Sequence, residues 1–193
     1  MKIQMFKPSV IGCFGKLPAY GDFVRAGLEE NMVARLDTWC RTCLIQSRSG
    51  LGQLWERSWM MAPIWRFLIP SGVSGGKAML GVWLPSMDKA GRHYPFIIAA
   101  LSDDFSTLTQ GGNWLAEAEA GAVACVVQDK PYDAIVSALS SPVSDSVISL
   151  TGWWTEGSPF VKPKHFEIND LLFADTHASA MLHDHQLTET LPC

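Results

Sequence analysis

Charge is scarce in this chain, and charge of one sign is nowhere concentrated. Charged residues make up 18% of its 193 residues, and the formal net charge is −4. The basic residues stand apart: Lys2, Lys7, Lys16, Arg25, Arg35 and onward. Without a basic run, a phosphate backbone finds no electrostatic footprint, and an anionic lipid surface finds none either. No nucleic-acid partner is expected. Long apolar runs are also missing. A bilayer span needs about 18 apolar residues, and the longest stretches, Tyr94 to Leu101 and Ala120 to Val127, fall short. Lys7 and Pro8 interrupt the region where a signal peptide needs an unbroken apolar core. The expectation is a cytoplasmic protein without membrane insertion. Cysteines are few and odd in number: Cys13, Cys40, Cys43, Cys125 and Cys193, without the spacing of a disulfide framework. Free thiols in a reducing compartment account for them. Internal repeats and low-complexity segments are absent as well.

What is present is core material. Hydrophobic residues reach 48%, and eight are tryptophans, each able to bury roughly 200 Å². The length fits one domain, read as residues 1–165 with 166–193 as a C-terminal helix or tail belonging to it.

Periodicity orders the elements. Ser9 to Phe14 reads as a strand followed by a loop to Asp22. Met32, Val33, Leu36, Trp39, Cys40, Cys43 and Leu44 fall on one helical stripe between Glu30 and Gln46. Glu29 and Glu30 before it and Arg48 after it suit the helix dipole, and Gly50 reads as its stop. Leu51 to Met61 reads as a second helix that Pro63 ends. Strands follow at Ile64 to Ile69, Lys77 to Leu84 and His93 to Leu101. They are joined by a Gly- and Ser-rich turn over Pro70 to Gly76 and a type I turn over Asp88 to Gly91. Ser102 to Gly112 is polar. Asn113 is placed to cap a helix from Trp114 to Gln128, Tyr132 to Leu139 forms another, and Ser146 to Trp154 gives a fifth strand. A weak helix is read over Asp175 to His183. Strands in a run beside helices in a run argue α+β: a mostly antiparallel central sheet of about five strands, with helices packed on its faces. A profilin- or longin-like arrangement fits this order by analogy.

Patterns that touch known chemistry fail on context. Cys40-Arg41-Thr42-Cys43 matches C-x-x-C, but it has no second pair for zinc. It also sits mid-helix in the apolar stripe, away from the helix N-terminus a redox thiolate needs, so it reads as core. Gly72-Val73-Ser74-Gly75-Gly76 matches G-x-S-x-G. A hydrolase elbow requires a helix after the serine, and Lys77 to Leu84 is a poor helix. Read as a phosphate-binding loop, the same stretch lacks the first glycine and has Ala78 where a magnesium-holding hydroxyl belongs. Asp175, His177, His183, Asp184 and His185 in the tail are compatible with a transition metal, but such a group more often serves as solvated charge and helix ends. No catalytic set, metal or cofactor is expected, and serine hydrolysis through Ser74 is the enzymatic alternative.

Three blocks stand apart: Gly12 to Phe23, Ala62 to Phe67 and Pro85 to Pro95. Each sets Gly or Pro beside an isolated charge and an aromatic. Gly15 and Gly21 point to positive φ or close approach. The residues singled out are Lys16, Asp22, Phe23, Trp65, Arg66, Asp88, Arg92 and Tyr94. The charges either pair with one another to fix loops, Arg being suited to grip a carboxylate at two points, or belong to one partner-gripping surface.

In this order, together with Trp153 and Trp154, the blocks resemble the type VI secretion system-associated TagF family, also called ImpM. The resemblance runs from about Ile11 to Gly157. It implies a cytoplasmic, non-enzymatic accessory regulator linked to post-translational repression of secretion-system assembly. The partners it implies are a scaffold with a forkhead-associated domain and a Ser/Thr kinase–phosphatase pathway. A phosphatase domain like that fused to some relatives is not expected here, since the metal-binding Asp pattern is lacking. A structural subunit of the apparatus is a further alternative.

Overall fold

The computed structural model describes residues 4–74, 76–167 and 178–184. Its centre is a seven-stranded antiparallel sheet. The strands are β2 (Val10–Gly15), β3 (Val24–Ala26), β4 (Trp65–Ile69), β5 (Ala78–Leu84), β6 (Phe96–Ser102), β8 (Gly152–Thr155) and β9 (Lys164–Phe166), in the order β3-β2-β6-β5-β4-β8-β9. A separate two-stranded pairing joins β1 (Met5–Phe6) to β7 (Val143–Ser144).

Central β5 and β6 are buried on both faces, so their sequences are nearly continuous apolar runs rather than alternating ones. On one face, α1 (Glu30–Leu51) and α2 (Trp55–Met60), joined by a 3-10 turn at Gly52–Leu54, lay Leu36, Trp39, Cys40 and Trp59 over Phe67, Met79 and Ile97. On the other, α5 (Gly112–Val127) and α6 (Tyr132–Leu139) lay Trp114, Leu115 and Leu139 over Leu68, Leu80 and Ile98. Alternation along each strand sends successive side chains into the two cores. All eight tryptophans are buried, the most exposed being Trp154 at 9%.

The five expected strands are β2, β4, β5, β6 and β8. The structure adds short β3 and β9 at the two edges, where three residues each are too few to show a period. Several boundaries differ. Helix α1 runs through Gly50 to Leu51, and the chain turns at Gly52, whose φ is 51°. Gly50 is instead a close-approach site, where a Cβ would stand 2.5 Å from the Ser179 hydroxyl. Asn113 does not cap α5, which begins at Gly112; its side-chain amide donates to Ser144. Strand β6 starts at Phe96 rather than His93, since Pro95 has no N–H to give a ladder. Of the expected fifth strand only Gly152 to Trp154 is paired in the sheet, and β8 runs one residue further, to Thr155. Two single turns appear in polar stretches: α3 (Ser71–Ser74), and α4 (Phe105–Leu108), which Asp104 caps. Of the helix read over 175–183, the described residues 178–182 form a turn, and the rest lies outside the described residues.

The register decides where the loops go. Val24 pairs with Gly15, Gly15 with Phe96 and Phe96 with Leu84; Trp65 lies opposite Trp83, and Thr155 opposite Lys164. The connections after β2, before β4, between β5 and β6, and after β8 therefore emerge at one end of the sheet. These are the segments that carry the sequence blocks.

Candidate functional site

At that end the 85–95 connection folds back on itself. The Gly91 amide donates to the Asp88 carbonyl at 2.8 Å, as the type I turn requires. The carboxylate of Asp88 then collects donors. One oxygen accepts from the amides of Ala90 and Arg92, each at 3.0 Å. The other accepts from Lys16 Nζ at 2.8 Å and Arg92 Nε at 2.7 Å. Lys16 and Asp88 are both buried, at 7% and 2% exposure. Burial works against the Asp88 charge, but the hydrogen bonds from Lys16, from the Arg92 amide and side chain, and from the Ala90 amide outweigh it. They hold the carboxyl far below the usual carboxylate range. A buried ion pair persists only where its remaining lone pairs are satisfied, and here four donors meet one carboxylate.

The same centre ties two chain segments together. Arg92 Nη2 donates to the Gly21 carbonyl at 2.8 Å, and the Lys89 amide to the Tyr20 carbonyl at 2.8 Å. Lys16 also donates its amide to the Pro95 carbonyl at 3.3 Å. Gly15 makes this approach feasible. Its φ is 141°, and a Cβ there would sit 2.1 Å from the Pro95 oxygen. Gly21 differs from the expectation: its φ is not positive, and a Cβ would meet open space. What matters at position 21 is the carbonyl.

An aromatic set flanks the ion pair. Phe23 stacks on Phe14 with centroids 5.5 Å apart and meets the edge of Tyr94 at 4.7 Å, and Lys16 Nζ lies 5.0 Å over its ring. Tyr94 is buried, and its hydroxyl donates to Asp37 of α1 at 2.8 Å. Burial first, then neighbouring Cys40 and Asp37, push the Tyr94 phenol far above its ordinary range, so it stays a donor. Asp37 in turn holds Arg41 at 2.8 Å. At the solvent side Phe23 keeps 36% of its surface exposed, and the Arg92 side chain keeps 61%. Asp22 is exposed and accepts from the next amide, that of Phe23.

Lys16, Asp22, Phe23, Asp88, Arg92 and Tyr94 are thus brought together, whereas Trp65 and Arg66 are not. Trp65 is fully buried, donates its indole N–H to the Met181 carbonyl at 3.1 Å and stacks on Phe166. Arg66 faces the opposite core and forks onto Glu119 of α5 at 2.6 and 3.2 Å, with Glu156 at 3.0 Å. Sequence reading missed Asp37 and Glu119, the carboxylates that receive Tyr94 and Arg66. Each is an acid beside an apolar helical stripe, and nothing local says which strand it faces.

The remaining motifs resolve simply. Cys40 is buried in the α1 core, and burial raises its thiol well above the ordinary value. Burial raises Cys13 to about 12, with Cys125 adding to it, and raises Cys125 to about 11. Ser74 ends the single turn α3 between antiparallel β4 and β5, so the strand–serine–helix order of a nucleophile elbow is not formed. Among the described residues no group of three or more His, Cys, Asp or Glu is placed to hold a metal. Asp175, His177 and His185 lie outside them; His183 stacks on Phe160 and Asp184 pairs with Lys164. A cleft of ≈ 380 Å³ at the other end of the sheet is lined by Leu28, Met32, Arg35, Lys77 and Asp103, none of them a candidate.

Residues 12–141 match the TagF N-terminal domain, described as type VI secretion system-associated. The chain belongs to the TagF family. In three dimensions this TagF chain is similar to PA0076 from Pseudomonas aeruginosa PAO1, known from a crystal structure. Identity is 25%, the TM-score is 0.75, and the match covers 90% of this chain and 94% of that one. Among curated proteins none matches the sequence. The Lys16–Asp88–Arg92 centre lies wholly inside the family-matched residues, and no helix among the described residues is long and apolar enough to cross a membrane.

Proposed function

We propose that this TagF protein is a non-enzymatic, cytoplasmic accessory regulator of type VI secretion. In this reading it represses assembly post-translationally by binding a scaffold component that carries a forkhead-associated domain, in the pathway of the associated Ser/Thr kinase and phosphatase. The observation that carries the reading is the loop end of the sheet. There a buried, fully satisfied ion pair locks two connections together and presents a partly exposed aromatic beside a partly exposed arginine. Rigid aromatics and Arg are the residues that dominate binding energy when a partner desolvates them. Holding them in advance removes the ordering cost from association. The identity of the scaffold and the sign of regulation rest on the family.

Phe23→Ala tests the reading, because it removes the exposed ring and leaves every hydrogen bond of the Lys16–Asp88–Arg92 centre in place. The expected outcome is a folded protein that loses at least about tenfold in affinity for the purified scaffold, while Val127→Ala, at an exposed site on α5, binds like wild type. Undiminished binding by Phe23→Ala, or no binding by the wild-type chain, sinks the proposal. Stoichiometric presence in the purified apparatus would favour a structural subunit instead.

A further inference from the structure

The loop end of the sheet is a positive spot on a chain whose net charge is −4. Arg25 is exposed, and register sets its place, opposite Phe14. Side chains of paired residues share a face, while its neighbour Val24 enters the α5–α6 core. Arg25 therefore emerges on the α1–α2 face, two residues from Phe23, whose ring stacks on Phe14. Lys89 is exposed in the facing turn, and its amide is tied to this loop through the Tyr20 carbonyl. Among the described residues neither Arg25 nor Lys89 forms an ion pair. Arg92 donates from Nε to Asp88 and from Nη2 to the Gly21 carbonyl; its Nη1 makes no hydrogen bond among the described residues. The carboxylates nearby are mostly engaged. Asp88 is enclosed by its four donors, and Asp37 is shared by Tyr94 and Arg41. Asp133 of α6 belongs to the opposite face, where Tyr20 meets Tyr132 edge-on. Asp22 is the exposed carboxylate of the two loops, and it accepts from the Phe23 amide.

A cation that serves the fold has its counter-ion inside the fold, as Lys16 has Asp88. Arg25, Lys89 and the outer nitrogen of Arg92 have none there, and they surround a ring that keeps 36% of its surface exposed. Charge placed around an aromatic anchor selects the partner by its sign and speeds the encounter. We infer that the loop end binds an acidic protein segment, one that sets Asp or Glu beside a large apolar side chain. The apolar side chain covers Phe23, and the carboxylates face Arg25, Lys89 and Arg92. A phosphate group would call for several donors converging on one point. Here Arg92 retains one unpartnered nitrogen, and Arg25 and Lys89 stand on separate elements. Separate carboxylates along a segment match that spread. This inference rests on the reading above that the loop end is the partner surface, and it adds the chemistry of the partner.

The test compares binding of the purified scaffold to the full wild-type chain and to a double variant, Arg25→Glu with Lys89→Glu. Both sites are exposed, and the reversal leaves the Lys16–Asp88–Arg92 side-chain contacts in place. The double variant is expected to lose at least about tenfold in affinity. Lys7→Glu, exposed just before β2 at the opposite end of the sheet, binds like wild type. If the double variant binds like wild type while Phe23→Ala does not, the inference is overturned and the function proposed above stands. If the wild-type chain does not bind the scaffold, that function falls, and a second measurement decides the inference. In it the isotope-labelled full chain is titrated, by NMR, with a short peptide of alternating Glu and Leu and with its Lys and Leu counterpart. Shifts of the Phe23, Arg25, Lys89 and Arg92 signals by the acidic peptide, absent with the basic peptide and absent in the double variant, support the inference. An equal response to both peptides, or none to either, overturns it.

Discussion

Single positions show how differently two similar-looking residues act. Gly15 and Gly21 both flank the first sequence block, yet only Gly15 occupies a backbone region closed to side chains, with the Pro95 carbonyl in the Cβ position. Gly15→Ala is expected to destabilise by more than about 1 kcal/mol, and Gly21→Ala to fall within about 0.5 kcal/mol of wild type, by chemical denaturation. Asp88 gives a second residue-level expectation. Its folded-state pKa is depressed, so its contribution to stability is complete above the unfolded value of about 3.9 and fades as pH falls toward the folded one. Urea midpoints should therefore drop below about pH 4 in wild type. In Asp88→Asn the midpoint starts lower at neutral pH and its acid limb is shallower. An acid limb unchanged by the substitution would show that Asp88 is not the group lost.

At the scale of elements, the strands carry unequal weight. β5 and β6 are buried on both faces and hydrogen-bonded on both edges, whereas β3 and β9 are three-residue edges. Amide exchange should rank accordingly. Leu80 and Ile98 should exchange only through global unfolding, and Arg25 and His165 at least about tenfold faster. Uniform protection across the sheet would contradict this ranking. The sheet strands the sequence reading missed are of this weak kind. Two or three residues at an edge carry neither a period nor a flanking signal strong enough to separate them from loop. Where the period was long, in α1, α5 and the central strands, the reading held, because a stripe of Leu36, Trp39, Cys40 and Cys43 has only one way to face a core. Gly50 and Asn113 misled it for a shared reason: both have a local role they could play, and both are used in a tertiary contact, one against Ser179 and the other against Ser144.

Taken as a whole molecule, the protein keeps its loops of unusual composition at one end of the sheet and packs Met181 and Leu182 into the core on the α1–α2 face. The sequence by itself determined the α+β class, the antiparallel core and the family, because apolar periodicity and clustered Gly, Pro and Arg are local signals. It also singled out Lys16, Asp22, Phe23, Asp88, Arg92 and Tyr94. Only the tertiary structure decided that these six meet, while Trp65 and Arg66 face separate cores. It also decided that Asp37 and Glu119 complete the networks, that every tryptophan is buried, and that Met181 and Leu182 close a groove. The physical reason is common to all of these. An ion pair or a buried side chain is fixed by which strands are neighbours and in what register, and partners such as Lys16 and Asp88, 72 residues apart, leave no mark of that adjacency in the chain between them.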